Sequence, residues 1–142
     1  MIPDSNATIG VLIVDDHDGY RSVAEQVIDA TSGFTIAGSA SDRDQALQLL
    51  HTGDTPVDLI LMDVHLGVDD GVQLTSEITG EAASPAVMLV TTLALDDLPS
   101  TVRQCGARGF LPKNELSPDA LRQMCAGVYD WPDDSTSHRA GR

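Results

Sequence analysis

Short apolar runs alternate with amphipathic stretches along most of this chain, and this alternation restricts the fold more than any other feature. The five runs lie at residues 9–14, 34–38, 57–62, 86–90 and 109–111. Each run predicts a strand, and the stretches that follow the runs predict five helices. Because the runs are apolar nearly throughout, we predict an α/β domain in which helices cover both faces of a parallel sheet, giving three layers.

The predicted helices differ in the strength of their signals. The first presents Val23, Ala24, Val27 and Ile28 on one face. The fourth is the weakest, because Pro99 interrupts its apolar pattern early. Helix starts are predicted at Ser41 or Asp42 and at Ser117. Residues 67–71 are predicted to form a loop.

The charge balance narrows the range of partners. The chain carries 22 acidic residues against 8 lysines and arginines, a formal net charge of −14. Nucleic-acid binding depends on lysine and arginine, so this balance excludes a nucleic-acid surface on the domain. It also disfavours binding to an anionic membrane. Carboxylates that converge would instead favour a cation as ligand.

Length and cysteine content bound the organisation of the chain. The 142 residues predict one domain. It spans residues 9–129, between an N-terminal tail (1–8) and a C-terminal tail or truncated linker (130–142). Cys105 and Cys125 show no CxxC spacing, and we expect both to be reduced, small apolar fillers. No run is long enough for a signal segment or a membrane span, so we expect a cytoplasmic protein.

Polar side chains follow four of the five apolar runs. Asp15 and Asp16 follow the first run, Asp63 the third and Thr91 the fourth, while Lys113, the only lysine, follows the fifth after one proline. Because the carboxyl ends of parallel strands meet at one edge of a sheet, we expect these side chains in one site. One acidic pair alone says little, but the full set in this order is a specific signal.

These residue types predict phosphoryl chemistry. Converging carboxylates repel one another, and a hard divalent cation such as Mg²⁺ relieves that repulsion. The ammonium of Lys113 and the hydroxyl of Thr91 would face the oxygens of a phosphoryl group. Asp63 is then placed as a nucleophile that attacks phosphorus and forms an aspartyl phosphate.

Four segments carry a family resemblance, at residues 11–17, 59–63, 90–91 and 109–113. Together they closely resemble the receiver domain of two-component response regulators of the NarL/FixJ-like branch, over residues 9–129. The resemblance implies a flavodoxin-like (βα)5 fold with a parallel five-stranded sheet of order 2-1-3-4-5. It also implies a phosphorylation-dependent signalling switch that receives its phosphoryl group from a sensor histidine kinase.

The resemblance implies a metal-binding role for four residues. Asp63 resembles the phosphoacceptor. Asp16, Asp63 and the backbone carbonyl of His65 would hold Mg²⁺, and Asp15 would support the ion through a water molecule.

The resemblance also implies which residues respond to the phosphoryl group. Thr91 resembles the switch hydroxyl that engages the phosphoryl group, Lys113 resembles the salt-bridge partner at the phosphoryl site, and Phe110 matches the switch aromatic. His65 and Thr92 occupy the flanking positions at which the family tunes dephosphorylation.

The sequence departs from the family at two positions. Asn114 follows Lys113 where many receivers have proline, so we expect a trans peptide bond there. Gly67 replaces a common proline four residues after Asp63, and we expect a looser loop. His17 is expected near a helix start and is assigned no chemistry.

The sequence leaves open how the domain would pass on its signal. The domain would be the regulatory part of a transcriptional regulator with a helix-turn-helix domain, or a stand-alone receiver acting by protein contact. Homodimers are expected through the face of the fourth helix, fifth strand and fifth helix, or through the first and fifth helices. We expect no enzyme activity beyond the domain's own phosphorylation and dephosphorylation. The alternatives are a Mg²⁺-dependent aspartyl-phosphate hydrolase and a pseudo-receiver without chemistry.

Overall fold

In the computed structural model, which describes residues 8–81, 84–92, 102 and 104–125, the chain forms seven strands and four α-helices. The strands are β1 (Ile9–Val14), β2 (Phe34–Ala40), β3 (Leu59–Asp63), β4 (His65–Leu66), β5 (Asp69–Asp70), β6 (Ala86–Thr91) and β7 (Gly109–Pro112). The helices are α1 (Asp18–Asp29), α2 (Arg43–Thr52), α3 (Gly71–Thr79) and α4 (Pro118–Cys125). A single 3-10 turn at Lys113–Glu115 connects β7 to α4.

β3 lies at the centre of a parallel sheet with the strand order β2-β1-β3-β6-β7. β6 and β7 are the fourth and fifth strands predicted from the apolar runs, so the sheet has the predicted order 2-1-3-4-5. The α/β, flavodoxin-like fold class is therefore confirmed. The strand order reverses between β1 and β3, and in such sheets this is the point at which ligands bind.

The strand register brings the polar residues to one edge. Val14, the last residue of β1, is aligned with Met62, and Asp63 is aligned with Val90. Asp15 therefore emerges beside Asp63, and Lys113 follows the parallel strand β7 at the same edge.

Side chains of each central strand alternate between two core clusters, one on each face of the sheet. Val11 and Ile13 pack with residues of α1 and α4, whereas Leu12 and Val14 pack with residues of α2 and α3. β3 and β6 alternate in the same way. Burial of one large apolar side chain stabilises a fold by about 1.5–3 kcal/mol. These buried strands therefore hold the residues at their carboxyl ends in fixed positions.

Two helix starts are confirmed by their caps. The Asp42 carboxylate accepts a hydrogen bond from the backbone of Gln45 at 2.9 Å, and α2 begins at the next residue. The Ser117 hydroxyl accepts one from the backbone of Ala120 at 3.1 Å, directly before α4. Each cap satisfies a backbone N–H that the helix itself leaves unpaired.

Two apolar helix positions were predicted wrongly. Val23 is 51% exposed, because the buried stripe of α1 is centred on Ala24 and Ile28 and Val23 lies beyond its edge. Cys125, the last residue of α4, is also exposed, whereas Cys105 is buried as expected. The fourth predicted helix lies largely outside the described residues, and the 130–142 tail lies wholly outside them.

The predicted loop at residues 67–71 is wrong in part. β4 and β5 form a two-stranded antiparallel hairpin, and α3 already begins at Gly71. Gly67 turns the hairpin with a φ of +63°, a conformation that glycine adopts without steric cost. The looser loop expected from Gly67 is therefore replaced by a paired turn.

Membrane insertion finds no support in the fold. Over the described ranges, every helix is too short or too polar to cross a bilayer.

We predict that alanine at Gly71 destabilises the domain and that alanine at Gly19 does not. A Cβ on Gly71 would overlap the backbone oxygen of Asp63, whereas a Cβ on Gly19 would meet no described atom within 4 Å. Gly71→Ala should lower the free energy of unfolding by about 1–3 kcal/mol, and Gly19→Ala, within α1, should raise it by up to about 1 kcal/mol. Urea titration measures both. Equal effects would contradict the close approach of α3 to the end of β3.

Candidate functional site

Three side chains meet where β1, β3 and β7 end. The ammonium nitrogen of Lys113 lies 2.5 Å from Asp15 Oδ2 and 3.4 Å from Asp63 Oδ2. All three side chains are at least nine-tenths buried. Two buried carboxylates therefore share one buried ammonium, as the strand-end argument predicted.

Asp16 adds a third carboxylate to this group. Its Oδ1 and the Oδ2 of Asp63 are buried, and neither has a hydrogen-bond partner among the described residues. A buried polar atom without a partner costs about 1–3 kcal/mol. Carboxylate oxygens in this state fit a divalent cation, which binds such atoms by preference. One ligand atom each from Asp15, Asp16, His17 and Asp63 lie within 4.8 Å of one another, close enough to share an ion.

Hydrogen bonds from the neighbouring strand and helix fix the position of Asp15. The His17 N–H donates to Asp15 Oδ1 at 2.8 Å, which turns the chain directly after β1. Arg21, one turn into α1, donates to the backbone oxygen of Asp15 at 2.7 Å. The Asp15 N–H donates to Ala40 at the end of β2. Strand and helix therefore hold this residue from both sides.

The surroundings of Asp63 destabilise the ionised form of its carboxyl group. Burial raises the pKa of its carboxyl, and the negative charge of Asp15 raises it further. The Lys113 ammonium and the N–H of His65, 3.3 Å from Asp63 Oδ1, act in the opposite direction but do not compensate. The resulting pKa is about 6. Without a bound cation, the ionised form of Asp63 therefore costs the folded protein free energy.

The other predicted site residues fall into two groups. Thr91 is buried at the end of β6, and Phe110 is 3% exposed and packs in the core cluster with α2 and α3. His65 and Thr92 are exposed beside the site. Thr92 lines a cleft with Lys113 and Asn114. The structure thus brings the acids and the lysine together and places Phe110 in the core rather than among the acids. It leaves His65 and Thr92 exposed to solvent.

Two residues of the site were missed by the sequence reasoning. His17 places its Nδ1 3.0 Å from Asp15 Oδ1 and 3.1 Å from Asp16 Oδ1. Tyr20 lies under Lys113, with its ring centre 4.8 Å from the ammonium and its hydroxyl donating to the Lys113 carbonyl at 3.3 Å. Burial raises the pKa of the Tyr20 phenol, so the hydroxyl stays protonated and keeps that hydrogen bond. The sequence did contain a signal for both residues. A helix that begins directly after Asp15 and Asp16 must place its first turn, with His17 and Tyr20, near the carboxyl edge of the sheet.

The structure shows the local effect of both departures from the family sequence, at Gly67 and at Asn114. A Cβ at Gly67 would lie 3.3 Å from Asp16 Oδ2, so glycine leaves room beside the acidic cluster as well as allowing the turn. The described chain contains no cis peptide bond, and the bond after Lys113 is trans as expected.

Residues 11–126 match the response regulator receiver domain family. This match covers most of the chain, so the protein belongs to that family. Curated relatives include the response regulator UvrY of Escherichia coli K12, which is 30% identical over 85% of this chain and 54% of its own length. The transcriptional regulatory protein LiaR of Bacillus subtilis is 30% identical over 84% of this chain and 57% of its own. These relatives support the NarL/FixJ-like branch. The chain spans about half the length of the curated relatives it matches.

Solved structures agree with the fold. The isolated receiver domain of RcsB from Salmonella enterica serovar Typhimurium, in the apo form, superposes with a TM-score of 0.76 at 20% identity, covering 95% of this chain and all of that one. The receiver domain of the response regulator NarL from Mycobacterium tuberculosis superposes with a TM-score of 0.72 at 23% identity, covering 84% and 97%. Both similarities extend over almost the entire solved domain.

We predict that Asp63→Asn stabilises the metal-free domain at neutral pH. The folded-state pKa of about 6 lies above the ordinary value of 3.8, so the folded protein holds a proton that the unfolded chain releases. The free energy of unfolding of the wild type therefore falls as pH rises from about 4 to above 6. The amide removes this loss, a gain of roughly 1–3 kcal/mol at about pH 7.5 and little at about pH 4.

Urea titrations in the presence of a chelator measure this difference at both pH values. Asp54→Asn, in an exposed loop outside the cluster, is the matched control and should change stability little at either pH. If Asp63→Asn lowers stability at both pH values, the Lys113 ion pair outweighs the cost of burying the Asp63 charge.

Proposed function

We propose that this receiver domain is a cytoplasmic switch that accepts a phosphoryl group on Asp63 from a sensor histidine kinase. One observation carries the proposal. A buried carboxylate oxygen of Asp63 points into a cluster of acids, has no hydrogen-bond partner in the described structure and lies 3.4 Å from the only lysine of the chain. Such an oxygen is a nucleophile that the protein holds beside the group needed to neutralise an incoming phosphoryl oxygen.

In this proposal Asp16, Asp63 and the backbone carbonyl of His65 would hold Mg²⁺, and Asp15 would support the ion through a water molecule. The buried oxygens of Asp16 and Asp63 that accept no hydrogen bond from the described residues support the assignment of these two ligands. When bound, the ion offsets the negative charge that the carboxylates and the phosphoryl oxygens bring together. Lys113 remains paired with Asp15 and presents its ammonium to the same charge.

The transfer proceeds by attack of Asp63 Oδ2 on the phosphorus of the kinase phosphohistidine. A P–O bond forms and the P–N bond breaks, and the departing imidazole nitrogen keeps the electron pair and takes up a proton. The product is an aspartyl phosphate. The fixed positions of Asp63 and Lys113 reduce the entropy cost of bringing the two groups into line.

The proposed switch connects this product to the surface of the domain. Thr91 ends the strand next to β3, and its hydroxyl would engage the new phosphoryl oxygen. Phe110 follows on β7, and its buried ring would distinguish the two states of the face formed by the predicted fourth helix, β7 and α4. That face, or the α1 and α4 surface, would form the homodimer.

His65 and Thr92 are proposed to set the lifetime of the aspartyl phosphate. Both side chains are exposed next to the site. Hydrolysis needs a water molecule in line with the P–O bond, and side chains at this position decide whether one fits.

The domain is further proposed to regulate transcription through a separate DNA-binding domain. The support is that the chain matches about half the length of relatives such as LiaR, whose name describes a transcriptional regulatory protein. The net charge of −14 gives this domain itself no affinity for nucleic acid. A stand-alone receiver that acts through protein contacts is the alternative output.

We predict that acetyl phosphate adds one phosphoryl group to the protein, and only when Mg²⁺ is present. Asp63→Asn should abolish the mass increase, because the amide is not a nucleophile. Lys113→Gln should slow it at least about tenfold, because the developing charge loses its ammonium. Intact-mass spectrometry over time measures all three.

Two variants serve as matched controls. Asp119→Asn and Arg122→Gln remove an exposed acid and an exposed base on α4, away from the strand ends, and both should react like the wild type. Phosphorylation of Asp63→Asn would reject the assigned acceptor. Continuous turnover of a phosphomonoester would identify a hydrolase instead, and absence of Mg²⁺ binding would identify a pseudo-receiver.

A further inference from the structure

His17 points into the acidic cluster, although it is the one member without a negative charge. Its Nδ1 lies 3.0 Å from Asp15 Oδ1, 3.1 Å from Asp16 Oδ1 and 3.9 Å from Asp63 Oδ2. We infer that His17 Nδ1 is a further ligand of the divalent cation at this cluster and that it raises the affinity of the site for Mn²⁺ and Zn²⁺ relative to Mg²⁺. The inference rests on the cation site of the proposed function and adds a nitrogen ligand to it.

The spacing of the ligand atoms supports a shared ion. Two ligands about 2.1 Å from a metal and at right angles to each other are about 3.0 Å apart, and opposite ligands are about 4.2 Å apart. The 3.1 Å distance from His17 Nδ1 to Asp16 Oδ1 matches neighbouring ligands, and the 3.9 Å distance to Asp63 Oδ2 lies between the two limits. One ion can therefore contact the imidazole and the carboxylates with small adjustments.

The unpartnered oxygens are a second and independent observation. Asp16 Oδ1 accepts no hydrogen bond from any described group, although His17 Nδ1 is only 3.1 Å away. Asp63 Oδ2 likewise accepts no hydrogen bond from the described residues, in a side chain that is 4% exposed, and it lies 3.4 Å from the Lys113 ammonium. Both atoms therefore lie close to the imidazole without being satisfied by it, as expected of atoms that coordinate the same ion.

The side chain of His17 contributes little to the capping or packing of α1. It stands at the N-cap of α1, but its side chain makes no capping hydrogen bond to the described helix. The ring is 67% exposed and so contributes little packing. Its one competing interaction is a hydrogen bond between Nδ1 and Asp15 Oδ1 at 3.0 Å. The ring can exchange that bond for an ion without disturbing the core.

A nitrogen ligand changes which ion the site prefers. Mg²⁺ binds through oxygen and keeps several waters, so it gains little from an imidazole. Imidazole suits the later divalent ions, and Zn²⁺ binds more tightly than Mn²⁺ at most mixed sites. Removal of His17 should therefore weaken binding of Zn²⁺ and Mn²⁺ far more than binding of Mg²⁺.

Isothermal titration calorimetry of the full chain with MgCl₂, MnCl₂ or ZnCl₂ tests this inference. His17→Ala should lower Zn²⁺ affinity about tenfold or more and leave Mg²⁺ affinity within about twofold. His51→Ala, which removes an exposed histidine from α2, is the matched control and should change neither. Equal losses for Zn²⁺ and Mg²⁺, or no loss for Zn²⁺, would overturn the inference. A gain in Mg²⁺ affinity would also overturn it, since His17 would then compete with the ion.

Pulsed electron paramagnetic resonance of bound Mn²⁺ detects the ligand directly. The wild type should show hyperfine coupling to a directly bound nitrogen, and histidine labelled with ¹⁵N should change the pattern. His17→Ala should lose the coupling, whereas His51→Ala should retain it. Mn²⁺ bound without nitrogen coupling would refute the His17 ligand and keep the proposed cation site. If none of the three ions binds the wild type, the proposed site itself fails.

Discussion

Asp15 and Asp63 are buried next to each other, and the protein supplies one ammonium group for both. Lys113 contacts the two carboxylates at 2.5 and 3.4 Å, and Asp16 adds a third negative charge at the same edge. Three carboxylates and one ammonium leave two negative charges without compensation. Buried charge of this kind is expensive, so the arrangement is unfavourable unless a cation binds or Asp63 takes up a proton. The rest of the structure has to hold these groups together against that repulsion.

The sheet provides the necessary rigidity. β1, β3 and β6 are buried on both faces and fixed in register, so the residues that follow them cannot move apart without breaking the core. Arg21 and Tyr20 on α1 then hold the backbone of Asp15 and of Lys113. The stability of the apolar layers thus offsets a local penalty at the strand ends, and proteins commonly accept such a penalty at functional sites.

The fold and the acidic centre were predictable because both depend on strand periodicity. Apolar runs identify strands, and parallel strands deliver the residues behind them to one edge, so Asp63 and Lys113 could be paired from the sequence. The directions in which individual side chains point were harder to predict from the sequence. Val23 was assigned to a buried face that α1 turns slightly away from, and His17 was assigned no chemistry. The error at Val23 and the unforeseen proximity of His17 to the acids both concern the rotation of α1 about its axis, which only packing against the sheet determines.

In the proposed function, this charge imbalance is also what allows a phosphoryl group to act as a signal. A ligand shifts a conformational equilibrium only by the difference in its interaction energy with the two states. A phosphoryl group on Asp63 adds negative charge where the protein already lacks compensation, so its energy depends steeply on the positions of Lys113 and of the Thr91 hydroxyl. A better balanced site would bind phosphate with less dependence on these positions. The burial and the repulsion from Asp15 that raise the pKa of Asp63 would therefore also make small movements of β6 and β7 energetically significant.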